Sequence, residues 1–249
     1  MIPKVIHYCW FGKGAMSSQA IQYIEGWKTL HPDYQIKCWS EENFDLSIAP
    51  IYVQQAYKCR KYAFVSDYVR LWALYYEGGI YLDTDVEVLK SFDDLLVLPA
   101  FIGFEANKNN TVETAVIGSE PKLAWTKELL EYYDTHSFLQ QDGTLDMTPN
   151  PTIFSNIFES RGLLPNGKKQ VYKEKLHVFP VDYFAPLSST RVLRTTNNTY
   201  CIHHFAGTWR EYGWRDIISK ILFDKILGRR ITDKLVLIKR KLFNYINEE

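Results

Sequence analysis

The feature that most constrains this chain is a short apolar strand that runs directly into two aspartates. Ile80-Tyr81-Leu82 follows a pair of glycines and precedes Asp83-Thr84-Asp85. A helix is predicted over about 62–77, because apolar residues recur there at helical spacing and glycines end helices at little cost. A helix that leads into a buried strand is typical of an α/β fold built around one largely parallel sheet. The sequence therefore predicts that class, with both aspartates at the carboxyl end of a strand.

Two carboxylates one residue apart at that edge point to a bound cation. Ligands of open α/β sheets bind beyond the carboxyl ends of the strands. Like charges this close repel each other unless a cation lies beside them. Mg²⁺ and Mn²⁺ prefer oxygen ligands and take one or two carboxylates together with phosphate oxygens of a substrate. For the motif taken alone, the alternative is a solvated turn with two aspartates.

Three further features hold residues suited to the same chemistry. Asp67 and Arg70 lie one turn apart on the predicted helix, where an i,i+3 salt bridge is the simpler explanation. Trp10 ends the first predicted strand, a position at which an aromatic residue is more often part of a core. Near residue 200, another short strand leads into His203-His204-Phe205-Ala206-Gly207-Thr208-Trp209, with two imidazoles and an indole in a turn.

Composition narrows the class of protein. The 29 basic and 29 acidic residues cancel, and no aromatic ladder accompanies the one basic stretch, so nucleic-acid binding has no support. The aromatic share of 15% suits a pocket that stacks on flat or ring-shaped ligands. Buried free thiols are expected at Cys9, Cys38 and Cys201. Reduced thiols, an opening strand without a signal peptide and no apolar run of ~18 residues favour a cytoplasmic protein.

The chain shows no linker and no internal repeat. We therefore predict one domain over 1–215, with a helical extension of the same domain over 216–249. The extension is basic and amphipathic, with 8 Lys or Arg and 2 Asp between Ser219 and Ile246. Such a helix can lie on an anionic membrane surface, and packing of its apolar stripe on the domain is an equal alternative.

Four sequence blocks together carry a resemblance to a known family. Ile2–Gly12, Tyr62–Arg70, Gly78–Val86 and His204–Trp209 occur in the order and with the residues typical of the glycosyltransferases that contain a DXD sugar-binding region. This family, glycosyltransferase family 32, includes yeast α-mannosyltransferases and capsular polysaccharide glycosyltransferases, and it is related to the glucosylating domain of clostridial toxins. The residues between about 107 and 200 show no motif of the family.

The resemblance implies a GT-A fold and a retaining, metal-dependent hexosyltransferase. The donor would be a nucleotide sugar, with a UDP-hexose favoured and GDP-mannose also open, and the cofactor Mn²⁺ or Mg²⁺. The acceptor would be a glycan or a lipid-linked glycan in the synthesis of a capsular, exopolysaccharide or related surface glycan. With a lipid-linked acceptor, peripheral attachment to the inner face of a membrane through the basic extension would follow.

The resemblance also implies roles for individual residues in donor binding. Trp10 would stack on the nucleotide base, and Tyr81 would line the nucleotide site. Asp67 and Arg70 would hold hydroxyls of the donor sugar, and Arg70 the diphosphate as well. Trp209 would cap the donor as an aromatic lid.

For the metal site, the resemblance implies three residues. Asp85 would bind the metal directly, and His204 would be the second protein ligand. Asp83 would contact the ribose, the sugar and the metal. A cation there, helped by Arg70, would stabilise the negative charge of a departing nucleoside diphosphate. No acceptor base is assigned, and Glu105 and Asp142 are candidates only because carboxylates stand there.

Two other classes of protein remain as alternatives. Phosphatases of the haloacid-dehalogenase type also use an aspartate pair after a strand, here Asp83 and Asp85, but they place the pair on the first strand. A non-catalytic carbohydrate-binding module would suit the many aromatic residues, but such modules are mostly all-β. Release of phosphate from a simple monoester, or glycan binding without nucleotide affinity, would distinguish these alternatives from sugar transfer.

Overall fold

The structure is a computed structural model that describes residues 1–173, 175–188 and 192–206. Met1–Ala206 forms one compact unit. Trp209 and the extension over 216–249 lie outside the described residues, so the expectations for them stay predictions. No helix in the described part of the chain combines the length and the apolar character needed to cross a bilayer.

The described part of the chain forms nine strands and six α-helices. The strands are β1 (Val5–Cys9), β2 (Gln35–Trp39), β3 (Gly79–Leu82), β4 (Val86–Val88), β5 (Ala100–Gly103), β6 (Val116–Ser119), β7 (Gln170–Tyr172), β8 (Leu176–Phe179) and β9 (Cys201–His203). The helices are α1 (Ser18–Leu30), α2 (Ile51–Lys58), α3 (Tyr62–Tyr76), α4 (Ala124–Thr135), α5 (Asn150–Glu159) and the single turn α6 (Val181–Phe184).

Seven of these strands form the central sheet, in the order β2-β1-β3-β6-β5-β8-β7. Strands β6 and β7 pair antiparallel with their neighbours, and the other five run in one direction. Strands β4 and β9 form a separate antiparallel pair. The predicted α/β class, a single mostly parallel sheet with flanking helices, is confirmed.

Strand β3 is central because both of its faces are apolar. Ile80 and Leu82 pack in a cluster with residues of α1, and Tyr81 packs in a second cluster with residues of α2 to α5. Only a glycine at position 79 lets β3 lie this close to β1. Its φ is +107°, and a Cβ there would lie 2.6 Å from the carbonyl oxygen of Val5. Strand β3 can therefore begin in the sheet directly after α3, and its last residues lie at the carboxyl edge.

The four cysteines are free. Cys9 and Cys201 are buried, as predicted. Cys38 is only partly buried, because it lies on β2, the edge strand of the sheet. The expectation of a fully buried thiol is therefore wrong at this position.

Candidate active site

Asp83 and Asp85 lie in the tight turn between β3 and β4, at the carboxyl edge of the sheet. The backbone N–H of Asp83 donates to the carbonyl of Ala115 at 2.9 Å, and that of Val86 donates to the carbonyl of Asp83 at 3.0 Å. The Asp85 carboxylate accepts the N–H of Ala206 at 2.7 Å. These bonds hold both aspartates in place where ligands of α/β sheets bind.

His203 lies beside the two aspartates. It ends β9 and is paired in register with Val86 on β4, directly after Asp85. Its Nε2 lies 3.4 Å from Asp85 Oδ1. One ligand atom from each of Asp83, Asp85 and His203 falls within 4.8 Å of the others. Two carboxylates and an imidazole at this spacing fit a divalent cation such as Mn²⁺ or Mg²⁺.

Electrostatics supports this grouping of charges. Burial raises the pKa of Asp83, and the charge of Asp85 raises it further, although Arg70 opposes the shift. Burial would also raise the pKa of Asp85, but the contact with His203 holds it below its usual value. Burial would lower the pKa of His203, yet the surrounding carboxylates, among them Asp85, raise it well above its usual value. The site therefore concentrates negative charge that a cation would neutralise.

The side chain of His204 points in a different direction from that of His203. Its Nε2 lies 2.8 Å from Glu87 Oε2, and its ring stacks on Tyr23 with the ring centroids 5.2 Å apart. Consecutive side chains along extended backbone point to opposite sides, so one of the two histidines must face away from the aspartates. The structure brings His203, and not the predicted His204, to Asp83 and Asp85.

Arg70 connects α3 to the aspartates. Arg70 is 4% exposed, and its guanidinium donates to Asp67 Oδ1 at 2.7 Å and to the carbonyl of Thr114 at 2.6 Å. The same Nη2 lies 3.4 Å from Asp83 Oδ1. The i,i+3 pair of Asp67 and Arg70 is thus real, but it is buried and forms part of a network with Asp83.

The buried charges shift one another's pKa values. Burial raises the pKa of Asp67 to about 6, with Arg70 opposing the rise. Burial would lower the pKa of Arg70, but the charges of Asp83 and Asp67 raise it. Arg70 is therefore always charged, and Asp67 changes its protonation state near neutral pH.

Tyr81 and Trp10 flank this network. Tyr81 is 1% exposed, donates its hydroxyl to Asp83 Oδ1 at 2.8 Å and lies under the Arg70 guanidinium at 4.6 Å. Trp10 follows β1, the strand next to β3, and is half-buried, with its Nε1 donating to the carbonyl of Gly14 at 2.6 Å. The structure thus places Tyr81 beneath Asp83 and Trp10 at the same edge of the sheet.

The same region of the chain matches a known protein family. Residues 17–101 match the glycosyltransferase sugar-binding region containing the DXD motif, and Asp83-Thr84-Asp85 is that motif. Over these residues the chain is similar to this glycosyltransferase family. Helix α3, strand β3 and the residues Asp67, Arg70, Tyr81 and Asp83 all lie inside the matched region.

Relatives of this glycosyltransferase extend the similarity beyond the matched region. Inositol phosphoceramide mannosyltransferase 2 of Schizosaccharomyces pombe is 24% identical over 274 residues, which cover 97% of this chain and 73% of that protein. An uncharacterized glycosyltransferase of Acanthamoeba polyphaga mimivirus is 31% identical over 157 residues, 59% of this chain and 60% of that protein. Among solved structures, the PaToxG glycosyltransferase gives a TM-score of 0.49 at 20% identity, covering 65% of this chain and 70% of that chain.

The glycosyltransferase site contains two buried residues that sequence reasoning missed. Glu113 is 0% exposed and contacts Nδ1 of His203 at 3.2 Å. Asn150, at the start of α5, is 2% exposed and accepts the hydroxyl of Tyr133 through Oδ1 at 3.0 Å. Its Nδ2 helps to lower the pKa of Asp67 but makes no hydrogen bond of normal geometry within the described residues. The prolines at 149 and 151 signal a helix start there, and no local signal indicates a ligand.

The two candidate acceptor bases of this glycosyltransferase differ in their surroundings. Glu105 follows β5, and its Oε2 accepts from Asn107 Nδ2 at 2.8 Å and from Thr111 Oγ1 at 3.0 Å. Burial and the nearby charge of Glu113 raise the pKa of Glu105 to about 7. Asp142 is exposed and accepts from the backbone and the hydroxyl of Thr144, as in an ordinary turn. Of the two, only Glu105 interacts electrostatically with the site.

Replacing Glu105 by glutamine is expected to stabilise the protein at high pH. The folded state favours the protonated carboxyl, since its pKa of about 7 lies above the value of about 4.3 for an unfolded chain. The wild type therefore loses stability as pH rises from about 4 through 7, whereas glutamine has no proton to lose. Urea denaturation without metal should show nearly equal stabilities at pH 4 and an advantage of about 3–4 kcal/mol for Glu105→Gln at pH 8.

The control for this prediction is Glu42→Gln, which changes an exposed carboxylate. It should leave the dependence of stability on pH as it is in the wild type. An advantage of Glu105→Gln that is the same at pH 4 and pH 8 would contradict a raised pKa at Glu105.

Proposed function

We propose that this glycosyltransferase transfers a hexose, with retention of configuration, from a nucleoside-diphosphate sugar to a hydroxyl of a glycan or lipid-linked acceptor, with a divalent cation as cofactor. The observation that carries the proposal is the convergence of Asp83, Asp85 and His203 beside the buried pair of Arg70 and Asp67. A metal-binding triad next to a buried, permanently charged guanidinium suits a diphosphate.

In this proposal, Asp85, Asp83 and His203 hold the cation. Bound there, Mn²⁺ or Mg²⁺ acts as a Lewis acid on the diphosphate oxygens and needs no proton transfer to stabilise the leaving group. Arg70, 3.4 Å from Asp83, adds a fixed positive charge at the same place. Such preorganised charge stabilises the transition state more than the ground state, because the negative charge grows as the glycosidic bond breaks.

Asp67 and Asn150 orient the donor sugar. Arg70 occupies Oδ1 of Asp67, and Asn150 Nδ2 has no hydrogen bond of normal geometry within the described residues. A carboxylate and an amide next to each other can bind neighbouring sugar hydroxyls as acceptor and donor. Holding the sugar in one orientation removes much of the entropic cost of reaching the transition state. Trp10 stacks on the base at the end of β1, and Trp209, outside the described residues, covers the donor.

The names of the relatives favour a mannosyl donor over the UDP-hexose that the family resemblance favoured. Inositol phosphoceramide mannosyltransferases recur among them, and their names describe mannose transfer to a lipid-linked polyol. We therefore place GDP-mannose first and UDP-hexoses second, with a hydroxyl-rich lipid headgroup or glycan as acceptor. A role in capsular or exopolysaccharide synthesis, a cytoplasmic location and membrane contact through 216–249 are part of the proposal.

A thermal-shift panel tests this function. GDP-mannose, UDP-glucose and UDP-galactose are each added with Mn²⁺ and with EDTA. One nucleotide sugar with Mn²⁺ should raise the melting temperature, because a ligand that binds only the folded state stabilises it by mass action. The same sugar with EDTA should give a smaller shift. Transfer of radiolabelled sugar to inositol phosphoceramide or to a glycan then identifies the acceptor.

Two results would contradict the proposal. Hydrolysis of p-nitrophenyl phosphate without any response to nucleotide sugars would indicate a phosphatase. Binding of free glycans without any response to nucleotides or Mn²⁺ would indicate a carbohydrate-binding module.

A further inference from the structure

A buried glutamate contacts the side of the His203 ring that faces away from the aspartates. Both oxygens of Glu113 lie near His203 Nδ1, Oε1 at 3.2 Å and Oε2 at 3.4 Å. The other ring nitrogen, Nε2, is the one that lies 3.4 Å from Asp85 Oδ1. Burying a carboxylate is costly unless it is paired and hydrogen-bonded. Glu113 and the imidazole therefore constrain each other.

The backbone around Glu113 fixes its carboxylate relative to the rest of the site. Glu113 Oε1 accepts the N–H of Ala115 at 2.6 Å, and the carbonyl of Ala115 accepts the N–H of Asp83 at 2.9 Å. The N–H of Glu113 donates to the carbonyl of Gly103 at 2.7 Å. Thr114 lies between Glu113 and Ala115, and its carbonyl accepts an N–H of the Arg70 guanidinium. One tripeptide thus sets the positions of the Glu113 carboxylate, the Arg70 guanidinium and the Asp83 backbone.

We propose that Glu113 is a positioning residue for the cation site. By accepting the Nδ1–H of His203, Glu113 fixes the tautomer and the orientation of the ring, so that the lone pair of Nε2 faces the space beside Asp83 and Asp85. This inference rests on the proposed function, since it needs a bound cation. A histidine that binds a metal commonly donates its other ring N–H to a carboxylate, and loss of that partner costs about 10- to 100-fold in metal affinity.

The first test compares two glutamates that each contact one of the neighbouring histidines. Mn²⁺ is titrated into the metal-free full chain, and free Mn²⁺ is followed by electron paramagnetic resonance. Glu113→Gln keeps the shape and an oxygen for the N–H of Ala115 but removes the charge, and it should weaken Mn²⁺ binding by about 10- to 100-fold. Glu87→Gln, at the carboxylate 2.8 Å from His204, should bind Mn²⁺ like the wild type. Unchanged affinity of Glu113→Gln, or an equal loss in Glu87→Gln, would overturn the proposal.

A double-mutant cycle shows whether Glu113 acts through His203. In a His203→Asn background, Glu113→Gln should cause no further loss of Mn²⁺ affinity, because the group that it orients is gone. A loss as large as in the wild-type background would mean that Glu113 acts on the site by another route, and it would overturn the proposal.

The tautomer of His203 is a direct readout in the unmodified protein. In the full chain with Mg²⁺, ¹⁵N resonances of the imidazoles report which ring nitrogen carries the proton, and His203→Asn identifies the signal among the six histidines. Nδ1 should be protonated and Nε2 unprotonated, and the reverse would overturn the proposal even if Glu113→Gln does not fold. A wild type that binds neither ion defeats the proposed metal dependence together with this inference. Binding that Glu113→Gln leaves intact defeats the role of Glu113 alone.

Discussion

Replacing Asp85 by asparagine is expected to lower kcat for sugar transfer by at least ~10²-fold while the fold stays intact. The carboxylate is one of the two that face the proposed cation, and it lies 3.4 Å from His203 Nε2. Asparagine keeps an oxygen that can accept the N–H of Ala206 but removes the charge. The measurement is kcat at saturating donor and Mn²⁺, with circular dichroism and thermal melting as checks on folding.

Asp142→Asn is the matched control for this substitution, since it removes an exposed carboxylate from an ordinary turn. It should transfer sugar at the wild-type rate. Wild-type kcat in Asp85→Asn at saturating donor would contradict the assignment of Asp85.

Replacing Arg70 by methionine is expected to cost about 3–5 kcal/mol of folding free energy. Methionine keeps much of the apolar volume, but it leaves the buried carboxylate of Asp67 and the partly buried carboxylate of Asp83 without the guanidinium that contacts both. The pKa of Asp67 is about 6 even with Arg70 present, and it rises further without it. The loss of stability should therefore be smaller at pH 5, where protonation relieves the charge, than at pH 8. Urea denaturation at both pH values measures the difference.

Arg161→Met provides the comparison, because the half-exposed Arg161 pairs with Glu128, and Glu128 keeps a second partner in Lys173. Its loss should cost no more than ~1 kcal/mol. A similar cost for both arginines would contradict a central role of Arg70 in the buried network. So would a cost for Arg70→Met that does not change between pH 5 and pH 8.

Local patterning predicted most of the fold because strands and helices bury residues at regular spacing. The helix over 62–77 and the strand that ends before Asp83 are found as α3 and β3, since both have an apolar pattern followed by glycine or aspartate. Strand β6, in contrast, begins only at Val116. Residues 111–115 instead make one hydrogen bond each to the backbone N–H of Glu105, to the carbonyl of Gly103 and to the guanidinium of Arg70. Such long-range partners leave no periodic trace in the sequence.

The difference between local patterns and long-range contacts also explains which residues of the site the sequence predicted. Helical spacing and the end of a strand bring together the four residues that share ion pairs and a hydrogen bond, Asp67, Arg70, Tyr81 and Asp83. The choice between His203 and His204 depends on the register of β9 against β4, which no single-strand pattern fixes. Glu113 lies 90 positions from His203, and only the folded sheet brings the two together.

Anomalous scattering from crystals grown with Mn²⁺ and a nucleoside diphosphate tests the central claim most directly. The proposal predicts one strong manganese peak at coordination distance from Asp83, Asp85 and His203, with the diphosphate next to it. A manganese ion held by His204 and Glu87, or a nucleotide bound away from the carboxyl edge of β3, would contradict it.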